Sequence, residues 1–395
     1  MLRFLTAGES HGPALTVVIE GLPSGLGVDR AALDADLRRR QGGYGRGQRM
    51  KIESDAVEIL GGVRHGRTLG SPVTLLIRNR DFDNWRDVMS PDPQPLEAKA
   101  RKALKHPRPG HADLAGALKF LKDDLREVLE RASARETAAR VAAGALAKGL
   151  LRASEVEIRS HVVRIGSAAA EASGQPWESL GAIEESPVRC ADARVAEAMI
   201  AEIDAAKKAG DSVGGEFEVV ARGLPPGLGS YTQWDRRLDG RLAQALMSIP
   251  AVKAVSLGGG FEAGMIPGSR FHDEILYDDG AGIVRPTNRA GGLEGGVTNG
   301  EELRARAVVK PIPTLMRPLR SIDMRSKEPR TASVERSDTC VVPAAGVVGE
   351  AMIALILADA MLEKFGGDSL DEYLGHLEAT RSQWRAFLAR RPQEA

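Results

Sequence analysis

The chain has 395 residues, with 54 Lys+Arg against 54 Asp+Glu, 43% hydrophobic and 4% aromatic residues. Neutral overall charge argues against a nucleic-acid or anionic-membrane partner, so any anion site must come from local clustering. Two distant cysteines, Cys190 and Cys340, exclude a disulfide framework and C-x-x-C metal spacing. The absence of a basic segment leading into an apolar run at the N-terminus points to a cytoplasmic protein.

Length alone suggests about two or three domains. A repeat narrows this. Residues 17–27 read VVIEGLPSGLG and residues 219–229 read VVARGLPPGLG, 202 positions apart, and Leu33 and Leu37 after the first copy match Leu238 and Leu242 after the second. A shared strand, glycine-rich turn and helix implies duplication, and no low-complexity linker divides the chain. One unit, 1–395, with two similar halves at roughly 1–150 and 210–365 is expected.

In chain order, the first repeat leads into a helix over 29–41, where Leu33 and Leu37 lie one turn apart. Short strands follow near 50–54, 57–63 and 73–78. A long helix is predicted over 122–151, a strand over 156–165, and a helix over 192–209 with Asp192 as N-cap. After the second repeat come a glycine-rich stretch at 285–300, a strand over 303–309 and helices near 346–364 and 369–389. The most apolar stretch, 341–362, contains Pro343, Glu350 and Asp359, so it reads as a buried helix and not a membrane span. Helices and strands mix without a βαβ rhythm, which makes the fold class α+β.

Several stretches could carry chemistry. The opening AGESHG sets Glu9, Ser10 and His11 between glycines. RRRQGGYGRGQRMK (38–51) gathers Arg38, Arg39, Arg40, Arg46, Arg49 and Lys51 around a glycine loop, and guanidinium forks suit phosphate and carboxylate. A solvated basic face is the equal alternative for that stretch alone. HPRPGHAD (106–113) holds Arg108 and His111 in a constrained turn, and histidine is the usual proton carrier near neutral pH. In ERASARETAAR (130–140), read as helix, Arg131 and Arg135 share a face and Glu136 pairs with Arg140. GGVTNG (295–300), KPIPT (310–314) and ERSDTC with Arg336 and Asp338 complete the set. No G-x-S-x-G, P-loop or Rossmann fingerprint occurs. What remains describes a site for a polyanionic small molecule.

These motifs, with GDSVGG (210–215) and RSDTCVVPAAGVVGEAM, occur in the order seen in the chorismate synthase family, and the resemblance runs from Phe4 to about Met361. It implies a homotetrameric lyase with a β-α-β sandwich fold and internal pseudo-two-fold symmetry. The implied reaction takes 5-enolpyruvylshikimate 3-phosphate to chorismate and phosphate by anti-1,4-elimination, with reduced FMN and no net redox change. Carried across by motif, His11 acts as general acid on the departing phosphate, with Ser10 helping to hold it. His111 protonates or stabilises the reduced flavin, and Asp338 helps relay the proton that the flavin removes. Arg40, Arg46, Arg49, Arg108, Arg135 and Arg336 hold the substrate's phosphate and carboxylates. FMN contacts fall to Arg131, Ala132, Ser133, Pro250, Ala251, Gly295, Lys310, Pro311, Ile312, Pro313, Thr314 and Arg336. In family members that use a nicotinamide, NADPH being the reductant, Arg40 and Arg46 are the positions linked to NADP; otherwise an external flavin reductase supplies reduced FMN. The chain departs from the commoner pattern at Ala132 (serine), Ser337 (histidine) and Ser256 (an acid). The rival readings are an FMN-dependent NADPH oxidoreductase and a non-catalytic anion or RNA binder built on 38–51.

Overall fold

The computed structural model describes residues 1–47, 54–95, 97, 102–170, 175–280, 282–335 and 337–389. Strands β1 (Arg3–Ala7), β2 (Ala14–Glu20), β3 (Glu58–Gly61) and β4 (Val73–Arg78) form an antiparallel sheet in the order β1-β2-β4-β3. Alternation dictates which face is buried: Leu15, Val17, Ile19, Val73, Leu75 and Ile77 all point inward. Strands β5 (Glu157–Ile165), β6 (Gly215–Arg222), β7 (Val252–Leu257) and β8 (Leu303–Val309) form a second sheet in the order β5-β6-β8-β7, extended beyond β5 by Ala168–Ala169. The second order is the first with every strand advanced by four. Both sheets also carry a register shift in the last pair, at Ile59/Gly61 and at Val252/Ala254.

The two GLPxGLG turns are held by the same bonds. Thr68 Oγ1 accepts from Leu26 N–H (2.9 Å) and donates to the Pro23 carbonyl (2.6 Å). Thr298 Oγ1 accepts from Leu228 N–H (2.8 Å) and donates to the Pro225 carbonyl (2.7 Å). Gly25 and Gly227 have φ of 84° and 85°, a left-handed conformation that favours glycine.

Four helices fill the space between the sheets: α1 (Arg30–Gln41), α2 (Thr137–Ala153), α3 (Leu238–Met247) and α4 (Val342–Phe365). Helix α2 packs on β2 and β4, α4 on β5 and β6, and the two pack on each other. At Gly144 of α2 a Cβ would lie 2.4 Å from that of Ala351, so glycine is what allows this approach. Helix α4 is long and apolar enough to cross a membrane, yet 89% of its most apolar window is buried inside the protein. Its Glu350 is fully buried and takes Arg39 (2.7 and 2.8 Å), Lys148 (2.6 Å) and Ser160 (2.6 Å). Burial raises the Glu350 pKa, but Lys148 and Arg39 overcome that and hold it well below the carboxylate range. Arg39 therefore serves the core and does not join Arg40 at a ligand.

The outer faces differ. Trp177, Leu180 and Ile183 cover the second sheet and bury Val220. On the first sheet Leu5 is 75% and Val18 40% exposed, with Leu60 at the edge 58% exposed.

One predicted element is corrected. The single helix over 122–151 is three pieces: Arg126–Ala132, a 3-10 turn Ala134–Glu136, and α2. Ser133 leaves the helix with ψ of 138° and caps the next turn by accepting from Arg135 N–H. Arg131 and Arg135 consequently do not share a face. The strand expected at 50–54 falls almost wholly outside the described residues. The other predicted boundaries are close, with Val73–Arg78 and Leu303–Val309 matching at both ends.

Candidate active site

A cavity of about 560 Å³ opens where equivalent parts of the two halves meet, within the usual size range of small-molecule sites. The end of α1 brings Arg40 and the following loop Arg46; the turn after α3 brings Ile249, Pro250 and Ala251. The first turns of α2 and α4 line it with Thr137 and with Val341, Ala344 and Ala345. Helix N-termini carry partial positive charge and favour anions.

Most predicted residues meet here: Ser10, His11, Arg40, Arg46, Arg108, His111, Ala132, Ser133, Arg135, Pro250, Ala251, Lys310, Ile312, Pro313, Thr314 and Asp338 all line the cavity. So does Ser337, at one of the departures from the family pattern. Three predicted residues do not. Arg131 is spent on the Gly8 and Thr6 carbonyls (both 3.0 Å). Pro311 is exposed beside the lining residues, and Gly295 sits in the Leu293–Glu294/Val297–Thr298 hairpin. Arg49 and Arg336 lie outside the described residues.

Each histidine is fixed by a carboxylate. His11 Nδ1 faces Glu130 at 2.9 and 3.1 Å, and the His11 N–H donates to Glu130 Oε2 at 2.8 Å. The ring stacks on Trp85, with centroids 3.8 Å apart. Burial raises the Glu130 pKa, but the hydrogen bonds and charge of His11, with Arg126 beyond, win and hold it below its ordinary value. His111 Nδ1 faces Asp113 Oδ1 at 2.6 Å, and Arg108 grips the same carboxylate through Nε (2.8 Å) and Nη2 (3.0 Å). Burial again opposes ionisation, and again His111 and Arg108 hold Asp113 far below the carboxylate range. Arg108 also donates to Thr314 Oγ1 (2.9 Å), and Lys310 Nζ to the Gly110 carbonyl, which ties the second half to the His111 turn.

A second buried acid organises the arginines. Asp55 takes both oxygens to Arg135 Nη1 (2.6 and 2.7 Å) and lies 3.4 Å from Arg40 Nη2. Arg135 Nε donates to Asn79 Oδ1 (2.9 Å). Burial lowers the Arg40 pKa; Asp55 raises it, Arg135 and Arg46 lower it further, and it is pushed down to about 9. Arg40 Nε is buried and has no acceptor among the described residues, a state that a bound anion would relieve. Asp338 accepts from Gly47 N–H (2.6 Å) and pairs with Arg46 Nη1 (3.3 Å).

Sequence reading missed Glu130, Asp55, Asn79, Asp81 and Trp85. Glu130 stands four residues after Arg126, and their 3.4 Å contact has the spacing of an ordinary helix-surface pair. Nothing in the local pattern marks Asp55 or Trp85.

The chorismate synthase family model matches residues 2–362. The chain is 58% identical over 388 residues to chorismate synthase of Moorella thermoacetica, covering 98% of this chain and 99% of that protein. It is 55% identical over 394 residues to the Geobacter sulfurreducens enzyme of the same name, covering 97% and 100%. A crystal structure of chorismate synthase superposes with a TM-score of 0.78 at 42% identity, covering 98% of each chain. Sequence, fold and a full-length match agree: the chain belongs to the chorismate synthase family.

Proposed function

We propose that this cavity carries out the elimination that turns 5-enolpyruvylshikimate 3-phosphate into chorismate and phosphate, a lyase step of the shikimate route to aromatic amino acids. One observation carries the assignment of roles. Two imidazoles, each anchored through Nδ1 to a buried carboxylate, share one cavity with Arg40, Arg46, Arg108 and Arg135.

The chemistry sets the requirements. A C–O bond breaks to release a phosphate dianion, and a C–H proton leaves from the other end of the 1,4 relation. A fixed cationic cradle stabilises the dianion without reorganising at the moment of reaction. Asp55 and Asn79 hold Arg135, and Asp55 also lies beside Arg40, so the cradle is set before substrate arrives. His11 supplies the proton to the departing phosphate, with Ser10 beside it, and Ser133 Oγ donates to Ser10 Oγ at 3.1 Å. Asp338, held by Gly47 and Arg46, would help to relay onward the proton lost from carbon.

The residues present fit reduced FMN. The wall of Ile249, Pro250, Ala251, Ile312 and Pro313 suits a flat ring, and the arginines and helix N-termini suit its phosphate. A reduced flavin bound there would supply electron density to the breaking C–O bond and be regenerated in its reduced state, so the reaction would have no net redox change. His111, Lys310, Ser133 and Thr314 line the same cavity and would hold it. Arg40 and Arg46 would also meet a nicotinamide phosphate, if NADPH reduces the flavin here and not through a separate reductase. A cytoplasmic homotetramer belongs to the same proposal. The uncovered face of the first sheet, with Leu5 and Val18 exposed, supports a subunit contact there.

Anaerobic protein with chemically reduced FMN and substrate is expected to give chorismate and phosphate in equal amounts, many per flavin, with the flavin still reduced. Steady NADPH consumption coupled to turnover would instead favour a net oxidoreductase.

A further inference from the structure

The acid assigned to His11 must present the same nitrogen to the cavity at every turnover. A free imidazole rotates about two bonds and exchanges tautomers. Here both freedoms are removed by Trp85 and Glu130, to which the family resemblance assigns no role. Trp85 stacks on the ring at 3.8 Å with an interplanar angle of 25°. Trp85 is itself pinned, because its Nε1–H donates to Asp81 Oδ2 at 3.1 Å and Lys102 Nζ lies 3.4 Å from its ring centroid. Glu130 controls the rest. Its backbone carbonyl accepts from Ser10 N–H (2.9 Å), and its carboxylate accepts from His11 N–H (2.8 Å) and faces Nδ1. Among the described residues Nε2 has no hydrogen-bond partner, while the ring itself lines the cavity.

We infer that Glu130 is a positioning residue for His11: its buried carboxylate fixes the proton on Nδ1 and leaves Nε2 as the nitrogen that serves the cavity. This rests on the elimination proposed above for the same site. The logic is that of a carboxylate orienting a working histidine from behind. Arg126 reaches Glu130 (3.4 Å) and Glu335 (2.8 Å), so Glu130 stays anchored while it holds the ring. The charged groups around His11 are thus Glu130 and Arg126 from one helix, Asp81 and Lys102 through Trp85, and Glu335 through Arg126.

The test compares Glu130→Gln with Glu130→Asp. E130Q keeps the size and an acceptor but loses the charge; E130D keeps the charge. In protein labelled with 15N-histidine, the His11 signals are those missing from His11→Ala. Wild type and E130D are expected to show a single Nδ1–H tautomer, and E130Q a mixture. In turnover, E130Q should lose about 10- to 100-fold in kcat, the cost typical of losing a carboxylate that orients a working histidine from behind. Its KM and flavin affinity should change little. An unchanged His11 spectrum in E130Q would overturn the inference. So would a loss confined to KM, flavin affinity or melting temperature, which a purely structural role would give. The tautomer signal needs no turnover, so it decides the role of Glu130 even if wild type makes no chorismate, an outcome that would count only against the elimination.

Discussion

The two halves of the molecule share strand order, bulge position and the bond pattern of the GLPxGLG turn, yet they contribute unlike chemistry to the cavity between them. The first half supplies Ser10, His11, Arg40, Arg46, Arg108, His111 and Arg135; the second supplies mostly apolar wall, from Ile249 to Ala251 and Ile312 to Pro313. At the helix position where α1 carries Arg40, the aligned repeat of α3 carries Ala245, and both are buried. A symmetric frame thus gives a rigid crevice, and divergence of its two sides makes one side a cradle for anions and the other a surface for a flat ring. The comparison can be broken at the charged side, at the shared turn, or at the wall.

The charged side should be the most fragile. Arg135→Ala removes both short bonds to Asp55, whose remaining cation among the described residues, Arg40, is 3.4 Å away. Stranding a buried carboxylate costs about 3–5 kcal/mol, so chemical denaturation should show a loss of that size together with loss of turnover. His11→Ala removes the acid without stranding the arginines. It should keep the fold and lower kcat by about 10²- to 10⁴-fold. His111→Ala should reduce turnover severely as well. Near wild-type rates at matched pH in either variant would remove that residue from its role.

The charged side was also where sequence was least informative. The strands at 73–78 and 303–309 were legible because alternation is a local property, and the repeated turn because its glycines and prolines sit at fixed spacing. The cationic and histidine residues announced themselves by type. Their carboxylate partners did not. Glu130 and Asp55 act across sequence separations of 119 and 80 residues, to His11 and Arg135, and only the fold brings them there. The same cause broke the long helix. Helical propensity favoured continuity through an alanine-rich stretch, but buried Arg135 is drawn to Asp55 and Asn79, and the chain turns at Ser133.

Acid should act on both halves together. Burial raises the Glu218 pKa, but hydrogen bonding to His161 and the charge of Arg306 overcome it and hold the group at about 2. A carboxylate depressed in the folded state contributes stability that is fully present above its unfolded pKa of about 4.3 and is lost as pH falls through the folded value. Each unit of displacement is worth about 1.4 kcal/mol. Stability should therefore fall between about pH 4.3 and 2. Asp113 and Glu130 in the first half and Glu350 in α4 are displaced the same way. Because Glu350 joins Arg39 and Lys148 of the first half to α4, one cooperative transition is expected. Two separated transitions, seen by different probes, would mean that the halves are independent units.

The shared turn offers a matched pair. Thr68→Val and Thr298→Val each orphan one backbone N–H, that of Leu26 or Leu228. Each should cost about 1–3 kcal/mol. Their bond patterns are alike and the sites are separate, so the two costs should be similar and should add in the double variant to within about 0.5 kcal/mol. Unequal costs in denaturant midpoints would show that the likeness of the halves stops at geometry.

The smallest effect is expected at the wall. Ala251 holds φ of 71°, a conformation that L-residues rarely adopt, and it lines the cavity while its carbonyl accepts from Lys310 N–H at 2.9 Å. Such strain costs about 1–2 kcal/mol in a residue with a Cβ, and it is found at sites where backbone must approach a ligand. Ala251→Gly relieves the strain but frees the unfolded chain, so the net change should be a gain of no more than about 1 kcal/mol. If the wall works by its backbone, the variant should keep flavin affinity and turnover close to wild type. Ala251→Val adds bulk at a strained position and into the cavity, so it should weaken flavin binding more than it weakens the fold. Titration of reduced flavin against both variants separates the cases. Equal affinity in the valine variant and wild type would show that this wall does not receive the ring, and the contrast between a charged side and a flat side would then need a different ligand to explain it.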